Sequence, residues 1–277
     1  MKNRIGIIGK GFVGSAAANG FSSNTGFDGE LRIYDPLPEK STHTLEEVVN
    51  YSDFCFISVP TPTDFSSGNI DLSIIYKCFA DIANCSKNSE TIFLLRSTVV
   101  PGTTSDLSAK FPNLRIVFNP EFLTQRSAYL DFINQARFIF GGNSKDTNEV
   151  ANLFRQRFGK TIRVIETDYS SAELIKYMCN TFFATKVAFL NEYYLLAQKL
   201  DLNWDSIIEG FISDGRVGHS HVAVPGPDGK LGYGGACFPK DVTALLAFAK
   251  SIKIDMNTLE GSWQTNLLVR PEKDWEI

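Results

Sequence analysis

The stretch Arg4-Ile5-Gly6-Ile7-Ile8-Gly9-Lys10-Gly11-Phe12-Val13-Gly14 runs an apolar strand into a G-x-G-x-x-G. Glycine triplets arise by chance. A strand before this one and a helical stretch after it supply the context that a dinucleotide-binding turn requires. Gly9, Gly11 and Gly14 would let the backbone approach a pyrophosphate seated on the helix N-terminus. The next apolar run, 31–34, ends at Asp35. A carboxylate there can bind both ribose hydroxyls and repels a 2′-phosphate. A turn residue before Pro36 is the plainer reading of Asp35, but the whole constellation points to NAD, not NADP.

Working outward, further short apolar runs occur at 54–59, 91–95, 115–118, 138–140 and 162–165, spaced by helical stretches. That alternation predicts an α/β fold: a Rossmann-like, doubly wound, mainly parallel sheet covered on both faces. Three runs end in polar or proline-stiffened residues: Pro60-Thr61-Pro62-Thr63, Arg96-Ser97-Thr98 and Asn119-Pro120-Glu121. Open α/β sheets bind ligands at these carboxyl ends. Singly, Thr61 or Ser97 would be an ordinary turn or cap residue.

The pattern changes near Asp168. Residues 172–200 contain no proline or glycine and are apolar around most of a helical circumference. More helix is expected at 204–212, 242–250 and 259–268, with a loop over 215–235 holding seven glycines and two prolines. The division expected is a dinucleotide-binding domain, 1–167, and an α-helical domain with a long central helix, 168–277. The long helix would be a spine between domains or between two copies of the chain, in a homodimer. On it, Lys176 and Asn180 share a face. Lys186 and Glu192 read equally well as a solvated stripe.

Composition bounds the rest. The chain has 277 residues, 43% apolar and 21% charged, as for a soluble globular protein. A net charge of −4 offers no basic field for nucleic acid. No apolar run is long enough for a membrane span, and the N-terminus lacks a cleavable signal pattern. Five cysteines without paired spacing suit a reducing, cytoplasmic setting. Among them Cys237 stands apart, in Gly232-Tyr233-Gly234-Gly235-Ala236-Cys237-Phe238-Pro239-Lys240-Asp241. A thiol beside a cation and a carboxylate suggests covalent chemistry on a bound molecule. A glycine-rich turn with a buried cysteine is the alternative.

Taken in order, GKGFVG (9–14), VPTPT (59–63), RSTVVPGT (96–103), NPEFL (119–123), AELIKYMCNT (172–181), GRVGHSHV (215–222) and GYGGACFPKD (232–241) resemble the UDP-glucose dehydrogenase family. The glycine loop is generic; NPEFL and GGACFPKD are far more specific. Cys-Phe-Pro-Lys-Asp is closer to the UDP-glucose branch than to the GDP-mannose branch. The resemblance implies that a primary alcohol of a nucleotide sugar, UDP-glucose first among candidates, is oxidised twice with two NAD⁺. Cys237 would pass through a thiohemiacetal and a thioester. By similarity Lys176 stabilises an oxyanion, and Asn180 bonds substrate near the reacting carbon. Asp241, with Thr98 and Glu121, would position water and carry protons. The resemblance places Phe12, Val13, Pro60, Thr61, Thr63, Ser97, Thr98 and Lys240 on the cofactor, Lys240 with the substrate as its other option. It places Glu121, Phe122, Leu123, Lys176, Asn180, Arg216 and Gly234 on the substrate. Arg216 matches an arginine that reaches the neighbouring subunit's substrate, and 224–231 resembles a lid.

No metal is expected, since His219 and His221 on a glycine-rich loop are weak ligand candidates. Two departures stand out. Gln125 replaces the family's usual glutamate. Only 40 residues follow Cys237, without the sheet pattern of a third, nucleotide-holding domain. A short form is therefore expected, its nucleotide pocket completed in trans or left open. Other sugar nucleotides (GDP-mannose, a UDP-N-acetylhexosamine) remain alternatives. So do a two-electron hydroxyacid-type dehydrogenase and a non-catalytic nucleotide-binding subunit.

Overall fold

The computed structural model of the protein describes residues 3–124 and 126–276. Gln125 lies outside them. The chain divides into two compact units, 1–62 with 71–176 and 63–70 with 177–277.

The first unit is built on seven strands: β1 (Asn3–Ile8), β2 (Gly29–Tyr34), β3 (Phe54–Ile57), β4 (Ile92–Leu95), β5 (Arg115–Phe118), β6 (Phe138–Gly141) and β7 (Val164–Thr167). Their order is β2-β1-β3-β4-β5-β6-β7, parallel except between β5 and β6. The order reverses direction beside β1, which places the β1 turn at the crevice where such sheets take ligands. Helices α1 (Phe12–Gly20), α2 (Leu45–Tyr51), α3 (Ser73–Cys85), α4 (Thr103–Lys110), α5 (Ala128–Ile133) and α6 (Ser144–Phe158) connect the strands.

Strand side chains alternate between two cores, as the two-residue period requires. Ile5, Ile7, Phe56 and Leu94 join α1, α5 and α6 in one core. Ile8, Ile57, Phe93 and Leu95 join α2, α3 and α4 in the other. The first is rich in phenylalanine. Phe21, Phe132, Phe138 and Phe154 are 0–2% exposed, and the Phe138 and Phe154 ring centroids are 4.8 Å apart. Each such ring contributes about 1.5–3 kcal/mol by burial.

Two expected strands lose two residues at one end. The run at 162–165 becomes strand only at Val164, because Ile162 N bonds back to Gly159 O in a turn. The run at 54–59 stops at Ile57, beyond which Val59 N–H bonds the Ser97 side chain instead of a strand.

Helix α7 (Tyr169–Lys199) starts in the first unit and continues in the second. The second unit adds α8 (Trp204–Ile212), α9 (Phe238–Ser251) and α10 (Asn257–Val269), with a long loop before α9. A short segment, 63–70, belongs with it. Gly68 lies so close to α9 that a Cβ there would come within 2.9 Å of Thr243 O.

Candidate active site

In the first unit the β1–α1 turn leaves its backbone open to an anion on one face. Gly9 has φ of +87°, and a Cβ there would lie 2.3 Å from Ser58 O. A Cβ on Gly14 would lie 1.9 Å from Gly9 O, so both positions exclude a side chain. A Cβ on Gly11 would meet nothing within 4 Å, so that face of the turn is open. Gly11 caps α1 without a side-chain hydrogen bond, and the first turn of α1 carries no acid. The helix N–H groups and dipole are thus left to an anion. Phe12, 37% exposed, and Val13 open that helix. Asp35 sits over the turn: its Oδ2 accepts from Lys10 N at 2.7 Å. These residues fit NAD, the turn for its pyrophosphate and Asp35 for its ribose.

Of the strand-end residues, Pro60 and Thr61 follow β3, with Thr61 and Thr98 each 9% exposed. Ser97 Oγ donates to Val59 O at 2.7 Å and accepts from Val59 N at 3.0 Å. Its hydroxyl staples the ends of β3 and β4, so the side chain shapes this rim. Thr63 is in the second unit, bridged to Ile70.

Glu121 is 6% exposed and Lys176 3%. Lys176 Nζ donates to Glu121 Oε1 at 2.8 Å, and Leu123 N donates to Oε2 at 2.7 Å. The Lys176 ammonium also lies 5.5 Å from the Phe122 ring centroid. A buried carboxylate and ammonium that satisfy each other form a pair able to hold or pass a proton.

In the second unit, Cys237 is the N-cap of α9, with its carbonyl accepting from Asp241 N at 2.9 Å. Asp241 is 1% exposed. Its Oδ2 accepts from Asn180 Nδ2 at 2.6 Å, and its Oδ1 from Lys240 Nζ. Lys240 is therefore engaged with Asp241. Negative charge developing at Cys237 would meet the N-terminus of a 14-residue helix.

Other expected residues are placed differently. Arg216 is exposed and forks onto Asp214, by Nε at 2.9 Å and Nη2 at 2.5 Å. Gly234 packs against the Arg270–Asp274 ion pair, where a Cβ would lie 2.4 Å from Asp274 Oδ1. The 224–231 segment, expected as a lid, is closed by a turn and tied to the residues after α10. Gly226 N bonds Lys230 O at 2.7 Å, and Lys230 Nζ reaches Glu272 at 3.0 Å. Lys186 is a satisfied, half-buried side chain: its ammonium bonds the carbonyls of Val217, Gly218 and Ser220. His221 stacks on Phe183 at 4.3 Å, and burial with the Lys186 charge lowers its pKa. Among the described residues no group of three or more His, Cys, Asp or Glu could hold a metal ion.

Glu173 lies in the matched stretch 172–181, where no role is expected of it. It is wholly buried, and its carboxylate accepts from Gly102 N and Thr104 N, each at 2.7 Å, and from Thr104 Oγ1 at 2.6 Å. It ties the start of α7 to the loop that follows Ser97 and Thr98. The available signal was its place three residues before Lys176 in one helix.

Comparison with known proteins bears on these arrangements. Residues 39–158 match the NAD binding domain of the UDP-glucose/GDP-mannose dehydrogenase family, and residues 170–267 match its central domain. A UDP-glucose 6-dehydrogenase of Rickettsia bellii is 32% identical over 232 residues, covering 82% of this chain and 52% of the relative. One from Campylobacter jejuni is 32% identical over 273 residues, covering 88% of this chain and 67% of the relative. A solved UDP-glucose dehydrogenase from the hyperthermophilic archaeon Pyrobaculum islandicum superposes with a TM-score of 0.82 at 25% identity, covering 97% of this chain and 68% of that one. The chain spans about half the length of the Rickettsia relatives it matches. On two adjoining family models and these relatives, the chain belongs to the UDP-glucose/GDP-mannose dehydrogenase family.

Proposed function

We propose that the chain carries an NAD-dependent dehydrogenase activity that oxidises a primary alcohol of a nucleotide sugar to a carboxylate, with UDP-glucose as substrate. The observation that carries this is the buried Asn180–Asp241 contact in the unit that holds Cys237; the buried Lys176–Glu121 pair of the first unit supports it independently. Bound NAD would supply the hydride acceptor, consumed twice per substrate.

Residues of the chain do the rest. The Cys237 sulfur bonds to the carbon of the intermediate aldehyde, giving a thiohemiacetal. Oxidation of that adduct leaves a thioester, and water cleaves its C–S bond to release the carboxylate and the thiol. A thiol suits both steps, because it adds readily to carbonyls and its thioester remains hydrolysable. Lys176 stabilises the oxyanion at that carbon. Asn180 hydrogen-bonds the substrate near the reacting carbon; by the family resemblance Asp241, Thr98 and Glu121 position water and carry protons. Arg216, exposed on its loop, is assigned to the nucleotide diphosphate of a neighbouring copy.

Two companion readings belong here. A homodimer through α7 is supported by Leu174, Met178, Phe182, Phe189, Tyr193 and Leu196, each 44–69% exposed. A cytoplasmic location is supported by five cysteines without disulfides. No helix among the described residues is long and apolar enough to cross a membrane.

The test is a panel of UDP- and GDP-sugars with NAD⁺, reading NADH formed per sugar consumed. Two NADH per UDP-glucose, with turnover abolished in Cys237→Ala, is the expected result. One NADH per sugar would sink the four-electron reading, and NAD binding without turnover of any sugar nucleotide would favour a non-catalytic subunit.

A further inference from the structure

Arg270 directly follows α10 and has no role assigned in the chemistry, yet it is 2% exposed. Every nitrogen of its guanidinium is engaged. Nε donates to Asp274 Oδ1 at 3.0 Å, and Nη2 to Asp274 Oδ2 at 2.5 Å and Asp228 Oδ2 at 2.6 Å. Nη1 donates to Leu231 O at 3.2 Å. The planar fork of an arginine can serve two carboxylates and a carbonyl at once; an ammonium cannot do so with the same geometry. These contacts fix both Asp228 and Leu231 of the loop that leads into Cys237.

The next residues are held as firmly. Asn191 Oδ1 accepts from Gly232 N at 3.0 Å. Asn266, wholly buried and one turn before Arg270, accepts from Tyr233 N at 2.7 Å and donates to Tyr233 O at 3.0 Å. Gly234 then passes so close to the guanidinium that a Cβ would lie 2.5 Å from both Arg270 Nε and Nη2. Three residues later the chain reaches Cys237 and the start of α9. The backbone from 228 to 234 is thus pinned from α7 by Asn191 and from α10 and its end by Asn266 and Arg270.

We propose that Arg270 is a positioning residue for Cys237, holding the glycine loop from behind so that the sulfur is presented at one place and in one orientation. The inference rests on Cys237 being the nucleophile. It assigns Arg270 no contact with cofactor or substrate. Loosening the loop should therefore degrade the step that the sulfur performs and leave NAD binding alone.

The experiment uses the full chain with Arg270→Met, Arg270→Lys and Asp228→Asn. Each is read for kcat, for KM of NAD⁺ and sugar nucleotide, and for the rate at which iodoacetamide alkylates Cys237 against Cys179, by peptide mass spectrometry. Misplacement on the ångström scale costs up to about 100-fold, so Arg270→Met should lower kcat between about tenfold and 100-fold. KM for NAD⁺ should stay within about twofold, since no cofactor contact is lost. The Cys237 alkylation rate should shift severalfold while that of Cys179 holds, and Arg270→Lys should recover part of both losses. A folded Arg270→Met variant with parental kcat and parental Cys237 alkylation would overturn the proposal. So would a fall in kcat matched by an equal loss of NAD⁺ affinity. Should Arg270→Met not fold, Asp228→Asn decides: it removes one partner, leaves Asp274, and is expected to shift kcat and alkylation in the same direction to a smaller extent. Parental values in that variant would equally overturn the proposal. Cys237→Ala separates the two readings. Turnover surviving in it ends the nucleophile assignment, while alkylation of Cys237 in the Arg270 variants still decides the clamp.

Discussion

At the scale of single residues, Glu173 has the sharpest electrostatic consequence. Burial pushes its carboxyl up to about 7, against the hydrogen bonds from Thr104 and Gly102 that favour the charged form. The ordinary glutamate value is 4.5. Between these two values the folded state binds more proton than the unfolded state. Stability from this group is therefore complete below about pH 4.5 and declines as pH rises through 7. The shift corresponds to roughly 3 kcal/mol over that window. Glu173→Gln cannot titrate, so its melting temperature should be flatter between pH 4.5 and 7 than the parent's, on top of a constant loss from the weakened cap of α4. Parallel melting curves for the two proteins would refute this. Neither the burial of Glu173 nor its donors could be read from the sequence. The spacing in Ala172-Glu173-Leu174-Ile175-Lys176 gave only that Glu173 and Lys176 are helical neighbours.

At the scale of elements, the strand–glycine–helix unit was legible because its chemistry is local. The tightness of its turn was not, since it depends on Gly14 meeting the carbonyl of Gly9. Gly14→Ala would force that contact apart and should cost at least about 1–3 kcal/mol through overpacking. Thermal unfolding together with an NAD⁺ titration checks this: lower stability and weakened binding are expected, and parental values for both would contradict the geometry. Helix boundaries show how local signals compete. Helix α9 begins at Phe238, not at 242, because Pro239 sits in its first turn, where a missing N–H and a fixed φ do no harm. The glycines at 232, 234 and 235 just before it favour loop by local composition. Helix α7 begins at Tyr169, not at 172, because Asp168 accepts from Ser171 N at 2.8 Å in the manner of an N-cap.

At the scale of the whole molecule, the chain is two compact units sharing one long helix, and the segment 63–70 crosses the sequence boundary between them. Proline and threonine around residue 62 read as one strand-end motif, yet Thr63 belongs with the second unit. The cause is the close seat of Gly68 on α9, a contact between residues 175 positions apart in numbering (68 and 243), to which local pattern is blind. The exposed apolar face of α7 carries the dimer reading. The 30.8 kDa chain is expected to sediment at twice its mass at micromolar concentration, and Phe182→Glu to shift it toward the monomer. A parent that sediments as a monomer throughout would end that reading.

The sequence by itself determined the order of strands and helices, the glycine turn after β1 with an aspartate, Asp35, after β2, and the presence of one thiol in a setting unlike the other four. These follow from backbone freedom, side-chain period and residue chemistry over a few positions, and such properties need no knowledge of the rest of the chain. Only the tertiary structure decided which charges meet. Lys176 finds Glu121 across 55 positions, Asn180 finds Asp241 across 61, and Arg270 finds Asp228 across 42. Helical spacing states that Lys176 and Asn180 share a face. It does not state what lies opposite, because partners distant in the chain are brought together by packing of the cores, which no local spacing encodes.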